Sequence, residues 1–406
     1  MSTRNDIREL LQSFLSFGPA GCGLSICENG KEIFRECVGY ADLEAKRQMK
    51  PDDIIRLFSN TKVFTNALAL TLYDKGKFLL TDPVSDYLPE FSHSVVGFFT
   101  NNGTFSTRAV QRPIRIMDLM TMSSGLTYGT QMAGGENSQT NIRIQQEIDA
   151  LEFDGSYSTR AFSKAMASVP LLFDPGTQWH YGYSHYVLGE LIEVCADMSF
   201  GDYLEKAICG PLGLADTSFF LPEEKKMRLA RQYRAPGQDG NREINEELDR
   251  MYDPNHRFES GGAGLLSTLN DFSRFAAMLS MGGSIDGVRL LSRNTIDLMR
   301  ANHLGTSQLA TFYAAQENGW EFARGYGYGL GVRTMVDKVR AGSNGSVGEF
   351  GWSGAAGTWL MADPANALSA VYIQQVLPNL FESYCHPRLR NTVYAFDEIS
   401  ANREKR

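Results

Sequence analysis

The sequence predicts an α/β (α+β) protein: one antiparallel sheet, flanked by N- and C-terminal helices, with a mostly helical domain inserted between its strands. Three observations lead there. An amphipathic helix and a hairpin pattern open the chain, helical periodicity and long polar connections dominate the middle, and strand-length apolar runs return after Tyr328. The expected division makes residues 1–80 and 258–406 two segments of one α/β domain, with 81–257 the mostly helical domain between them.

Ile7, Leu10, Leu11, Phe14 and Leu15 recur at helical spacing and give the first helix. Residues 21–27 and 32–38 read as paired strands, and Asn29-Gly30 between them supplies the positive φ values of a type I′ turn. Residues 113–120 read as a helix with Pro113 in its first turn. Residues 134–148 are polar and read as loop followed by helix, and 186–196 place Val187, Leu188, Leu191 and Ile192 on one helical side. Residues 328–335, 348–352, 358–362 and 368–374 then read as strands, the last two joined by a turn at Asp363-Pro364-Ala365-Asn366. A closing helix is expected within 388–400.

The chain has 406 residues, with 39 Lys and Arg against 47 Asp and Glu, so its formal net charge is −8. At 43% hydrophobic and 21% charged it is not a disordered chain, a collagen-like repeat or a small disulfide scaffold. The acidic excess argues against a nucleic-acid surface, which needs clustered Lys and Arg. No stretch approaches the roughly 18 apolar residues of a membrane span. The first residues lack the apolar core and small-residue cleavage site of a secretory signal, which predicts a cytoplasmic protein. Cys22, Cys27, Cys37, Cys195, Cys209 and Cys385 are scattered without C-x-x-C or zinc spacing and read as reduced thiols. Neither a metal nor a cofactor is expected, the expected partner is a small molecule, and no coiled-coil pattern marks an oligomer interface.

Three segments combine into an acyl-transfer site. The first is Ser59-Asn60-Thr61-Lys62, an S-x-x-K motif followed by an apolar run. On a helix the i and i+3 side chains share a face, so Lys62 can take the proton of Ser59 if its free pKa of about 10.4 is lowered by desolvation. Standing alone, the motif more often describes an N-capping serine and a surface lysine. The second is Asp174 to Ser184, where a loop tyrosine can shuttle a proton between nucleophile and leaving group. That tyrosine needs a cation to lower its pKa, and Lys62 is the candidate. The third is Glu349 to Thr358, whose small residues let a strand approach a ligand closely. There the Ala355 N–H can join the Ser59 N–H as an oxyanion hole.

In order and spacing these segments resemble the serine β-lactamase and penicillin-binding-protein superfamily, and within it the class C β-lactamase-like (family VIII) carboxylesterases. Residues 76–89, 120–128 and 260–268 also resemble family segments, so the likeness spans about residues 20–375. It implies a β-lactamase/transpeptidase-like fold, Ser59 as nucleophile, Lys62 as base and Tyr181 as the catalytic tyrosine, with Tyr183 the runner-up. Tyr183 stands where the family usually has Asn. Trp352-Ser353-Gly354 replaces the Lys-Thr-Gly of β-lactamases, and Tyr128, Tyr183, Trp352 and Gly354 are candidate substrate-binding residues. His180 and His185 lie near the site without an assigned catalytic role.

Lys-Thr-Gly helps β-lactamases bind a substrate carboxylate, so a tryptophan there favours a neutral ester. The sequence therefore points to a serine carboxylesterase. A β-lactamase or D-amino-acid peptidase, an acyltransferase and a catalytically silent scaffold are the alternatives. The absence of a G-x-S-x-G elbow sets aside an α/β-hydrolase, and no H-E-x-x-H motif is present. Loops around residues 134–156 and 308–325 are expected to shape the pocket.

Overall fold

The two ends of the chain pair with each other. The structure is a computed structural model that describes residues 1–16, 18–131, 138–154, 157–236, 242–245, 249–253, 257–315 and 324–400. Its main sheet comprises β1 (Gly21–Glu28), β2 (Lys31–Asp42), β3 (Arg47–Gln48), β4 (Tyr326–Tyr328), β5 (Arg333–Met335), β6 (Phe350–Ser353), β7 (Trp359–Asp363) and β8 (Leu368–Gln374). The strands lie in the order β4-β5-β6-β7-β8-β1-β2-β3, each neighbouring pair antiparallel. The seam between the chain ends is β1 against β8, running from Cys22 opposite Gln374 to Glu28 opposite Leu368. Asn29 and Gly30 carry φ of 52° and 74°, as the hairpin turn between β1 and β2 requires.

Five helices position the site: α1 (Arg4–Phe14), α2 (Thr61–Asp74), α3 (Ser184–Ala196), α4 (Leu269–Ser280) and α5 (Glu382–Tyr394). A capping box starts α1, with Thr3 accepting from the Asp6 N–H while Asp6 accepts from the Thr3 N–H. Ile7, Leu11 and Phe14 of α1 and Leu389 and Val393 of α5 cover one sheet face together with Leu24, Trp359 and Tyr372. On the other face α4 packs over β1, β7 and β8, with α2 outside it. Phe64 of α2 stacks on Phe275 of α4 with ring centroids 3.7 Å apart. Helices Gln139–Asp154, Thr159–Ser168 and α3 build much of the helical middle.

Three elements differ from the sequence reading. The run 328–335 is not one strand but the β4–β5 hairpin, because Gly329 and Gly331 turn the chain. A Cβ on Gly329 would lie 2.2 Å from the Met299 carbonyl oxygen, and Gly331, with φ of 75°, packs against the Asn66 side chain of α2. The closing helix starts at Glu382, six residues early, and carries Pro387 inside it, the residue that reads as a breaker in sequence. The helix expected from Pro113 begins instead at Ile116, where Asp118 accepts from the Arg115 N–H. Parts of the two expected pocket loops fall outside the described residues. Among the described residues no helix is long and apolar enough to cross a membrane.

Phe64 ties the helix that follows Ser59 to the helix on the sheet, and it is fully buried. Phe64→Ala is expected to cost about 3–5 kcal/mol, read as a lower urea midpoint at unchanged slope.

Candidate active site

Ser59 sits where a buried loop hands over to α2. It lies in a 3-10 turn, Phe58–Asn60, that runs directly into the helix. Phe58, immediately before it, has φ of 47°, a left-handed conformation that costs a non-glycine residue about 1–2 kcal/mol. Burial of the Phe58 ring holds it there. Ser59 is thus next to the positive end of α2, and Lys62 returns on the same side.

Lys62 Nζ is 3.1 Å from Ser59 Oγ and donates to the Gly262 carbonyl oxygen at 2.7 Å. The side chain has no exposure to solvent. Burial therefore pulls the amine well below its ordinary value of 10.5. Nζ also lies over two rings, 4.7 Å from the centroid of Tyr181 and 5.9 Å from that of Tyr186. The 260–264 segment reaches Lys62 because its glycines permit close approach. A Cβ on Gly261 would sit 2.5 Å from the His185 carbonyl oxygen, and one on Gly262 would enter the Tyr186 ring.

Tyr181 reaches the same place from the loop before α3. Its hydroxyl hydrogen-bonds with Ser59 and accepts from Trp352 Nε1 at 3.1 Å. Its ring stacks on Trp352, with centroids 5.6 Å apart, and meets Tyr128 edge-on at 5.7 Å. Burial pushes the Tyr181 phenol up, outweighing the lowering effect of its bonds to Ser59 and Trp352. The expectation that a Lys62 cation lowers the pKa of this tyrosine is therefore not met: desolvation dominates both groups and favours the uncharged form of each. His185, fully buried, is pulled well below 6.5, above all by burial. Burial thus biases all three groups toward their uncharged forms.

Tyr183 takes another direction. Its ring packs edge-on against Tyr128, Phe162 and Tyr186, and the Gly129 backbone engages its hydroxyl. The structure thus brings Tyr181 to Ser59 and places Tyr183 in the wall behind Tyr128. His180 Nε2 lies 2.8 Å from Thr127 Oγ1, a structural contact.

The third segment closes the site from the sheet. Trp352 is on β6, and the chain turns at Gly354 and Ala355. A Cβ on Gly354 would lie 2.3 Å from the Leu57 carbonyl oxygen, so the two backbones touch there. Thr358 Oγ1 donates to that same carbonyl oxygen at 3.0 Å and accepts from Asn60 Nδ2 at 2.9 Å. These contacts fasten the turn carrying Ala355 to the turn carrying Ser59, and Ala355 itself is exposed. Sequence reasoning missed the Gly262 carbonyl, for which the Gly261-Gly262 pair was the signal. It also missed Glu382, whose carboxylate accepts from Ser353 Oγ at 2.5 Å across the sheet. Among the described residues no cluster of three or more His, Cys, Asp or Glu is placed to hold a metal ion.

The chain matches known proteins along most of its length. The family model described as Beta-lactamase matches residues 10–392. Protein Rv1367c of Mycobacterium tuberculosis (strain ATCC 25618 / H37Rv) is 32% identical over 346 residues, 84% of this chain and 82% of that protein. Esterase EstB of Burkholderia gladioli is 26% identical over 388 residues, 91% of this chain and 89% of its own. Among solved structures, EstCE1, titled a hydrolase with promiscuous acyltransferase activity, superposes with a TM-score of 0.76 at 23% identity, over 96% of this chain and 97% of that one.

The buried amine also sets a dependence of stability on pH. An unfolded chain holds a proton on Lys62 up to about 10.5, whereas the folded chain releases it at lower pH. Between those two values the unfolded state binds more protons, so this group's contribution to stability rises with pH. Lys62→Met is therefore expected to be more stable than the wild type at pH 7, with the gap narrowing toward pH 10.5. Paired urea titrations across that range would measure it, and a gap that is constant with pH would show that the amine is charged in the folded protein.

Proposed function

We propose, from the premise that this chain belongs to the Beta-lactamase family, that it is a serine hydrolase cleaving small, neutral carboxylic esters through an acyl-enzyme on Ser59. The observation that carries the reading is the desolvated Lys62 amine 3.1 Å from Ser59 Oγ. A neutral amine has two N–H groups and a lone pair. One N–H donates to the Gly262 carbonyl, which leaves the lone pair for the hydroxyl proton of Ser59.

Ser59 Oγ attacks the ester carbonyl as its proton passes to Lys62. The carbonyl oxygen becomes an oxyanion, held by the N–H groups of Ser59 and Ala355. Tyr181 keeps its proton in the resting site and delivers it to the departing alkoxide, and the Lys62 ammonium reprotonates the phenolate. The alcohol leaves and the acyl group remains on Ser59. In the second half a water molecule gives one proton to the tyrosine–lysine pair while its oxygen attacks the acyl carbon, and Ser59 leaves as the hydroxyl. Trp352 supports Tyr181 twice, by stacking on its ring and by donating to its hydroxyl, which stabilises the transient phenolate.

The ester assignment rests on Trp352, an apolar ring where a β-lactamase has a lysine for its substrate's carboxylate, and on the likeness to esterase EstB. Tyr128 and Trp352 flank Tyr181 and line the acyl side. If an alcohol rather than water reaches the acyl-enzyme, the same chemistry transfers the acyl group.

Hydrolysis of p-nitrophenyl butyrate tests this directly. Turnover is expected to fall by at least about 10³-fold in Ser59→Ala with folding intact. Equal rates in both proteins would remove Ser59 from the mechanism. Trp352→Phe keeps a ring but loses the Nε1 donor, so kcat is expected to drop about tenfold, some 1.4 kcal/mol, with KM little changed. An unchanged kcat would mean that the hydrogen bond to Tyr181 contributes nothing to the barrier.

A further inference from the structure

Behind the sheet, on the side away from Tyr181, a cavity of about 180 Å³ lies between the β4–β5 hairpin and α5. Its walls are basic. Arg333 from β5 and Arg390 and His386 from α5 are each at most 4% exposed, and Arg324 stands exposed at the hairpin's start. Against these three guanidinium groups stand two carboxylates, Glu382 in the wall and Glu349, which accepts from Arg390 Nε at 2.8 Å. Among the described residues Glu382 is also shared with His386, whose Nδ1 lies 3.5 Å from its carboxylate. Arg390 is held between the rings of Tyr326 and Trp359, at 5.5 and 5.4 Å, and its Nη2 has no hydrogen-bond acceptor among the described residues. Burying an ionised guanidinium with a donor unsatisfied is costly, and an arginine fork suits an oxyanion.

We propose that this cavity is a second binding site for a small oxyanion, a short-chain carboxylate or phosphate, seated against Arg333 and Arg390 with Arg324 at its mouth. The wall it would touch also supports the reaction centre. Glu382 accepts from Ser353, which lies between Trp352 and the Gly354-Ala355 turn, and His386 Nε2 lies 3.2 Å from the Gly357 carbonyl oxygen of that turn. An anion seated beside Glu382 repels that carboxylate and loosens that support, so occupancy alters turnover. This second consequence, unlike binding itself, rests on the ester-hydrolase reading above. A carboxylate is what ester hydrolysis releases, which makes the site a place for product to act.

Isothermal titration of the Ser59→Ala protein with sodium butyrate and, separately, with inorganic phosphate at fixed ionic strength tests binding without any catalysis. Saturable binding of at least one anion is expected, weakened tenfold or more by adding Arg324→Glu, and likewise by Ser383→Trp, which obstructs the mouth. Both positions are exposed, so the fold tolerates the changes. Binding of butyrate alone identifies a carboxylate site, and tighter binding of phosphate identifies a phosphate site. No saturable binding of either, or binding that both substitutions leave intact, overturns the proposal. Because none of these readings uses turnover, their failure is separate from a failure of p-nitrophenyl butyrate hydrolysis.

Discussion

Sealing the amine of Lys62 from water is among the most demanding features of this fold, because an ammonium ion moved into a protein interior loses several kcal/mol of hydration. Burial pulls the amine well below its ordinary value, toward the form that carries no charge. A neutral amine still needs acceptors for its N–H groups, and the Gly262 carbonyl at 2.7 Å supplies one. The site's other polar groups then follow the same logic. Burial likewise pushes the Tyr181 phenol up and pulls the His185 imidazole down, so each is biased toward its uncharged form. Its electrostatics come from dipoles: the start of α2, the backbone N–H groups, the indole N–H of Trp352.

That arrangement depends on backbones meeting at distances no side chain allows. Gly262 lies against Tyr186, Gly354 against the Leu57 carbonyl and Gly331 against Asn66 of α2. The Gly354 and Gly331 contacts join the turn and helix around Ser59 to the sheet and to the β4–β5 hairpin, and the Gly262 contact joins the segment before α4 to α3. A β-carbon at Gly354 would push the Ala355 turn from Ser59 by an ångström or so, a displacement large enough to matter for oxyanion geometry. Small residues here hold the distance between parts that are remote in sequence.

Much of this is legible in the chain. The amphipathic pattern of α1, the Asn29-Gly30 turn and the Asp363–Asn366 turn depend on local chemistry, and they stand where local chemistry places them. Ser59, Lys62 and Tyr181 are found by motif and spacing, and the structure brings the three together. Other features were not legible because they are tertiary. Residues 328–335 split into a hairpin because Gly329 and Gly331 face partners more than 20 residues away. Pro387 sits inside α5 although its local signal is to stop a helix. Whether Tyr181 is a phenol or a phenolate could not be read from the presence of a lysine, since burial decides the charge of both. The buried arginines behind the sheet carry no motif at all.

Neutrality at the centre also bears on which substrates the proposed reaction accepts. A β-lactam or a peptide brings a carboxylate, and its desolvation must be offset by a cation or by several donors. In this chain the indole of Trp352 stands at that point, and its single donor is already given to Tyr181. The neighbouring hydroxyl, Ser353 Oγ, is given to Glu382. Neither group is left for an incoming anion, whereas an uncharged ester asks only for apolar contact and for the two oxyanion N–H groups as charge develops. Under the proposed reaction, a site biased toward uncharged groups, with both of these donors already engaged, would stabilise the transition state of an uncharged substrate most.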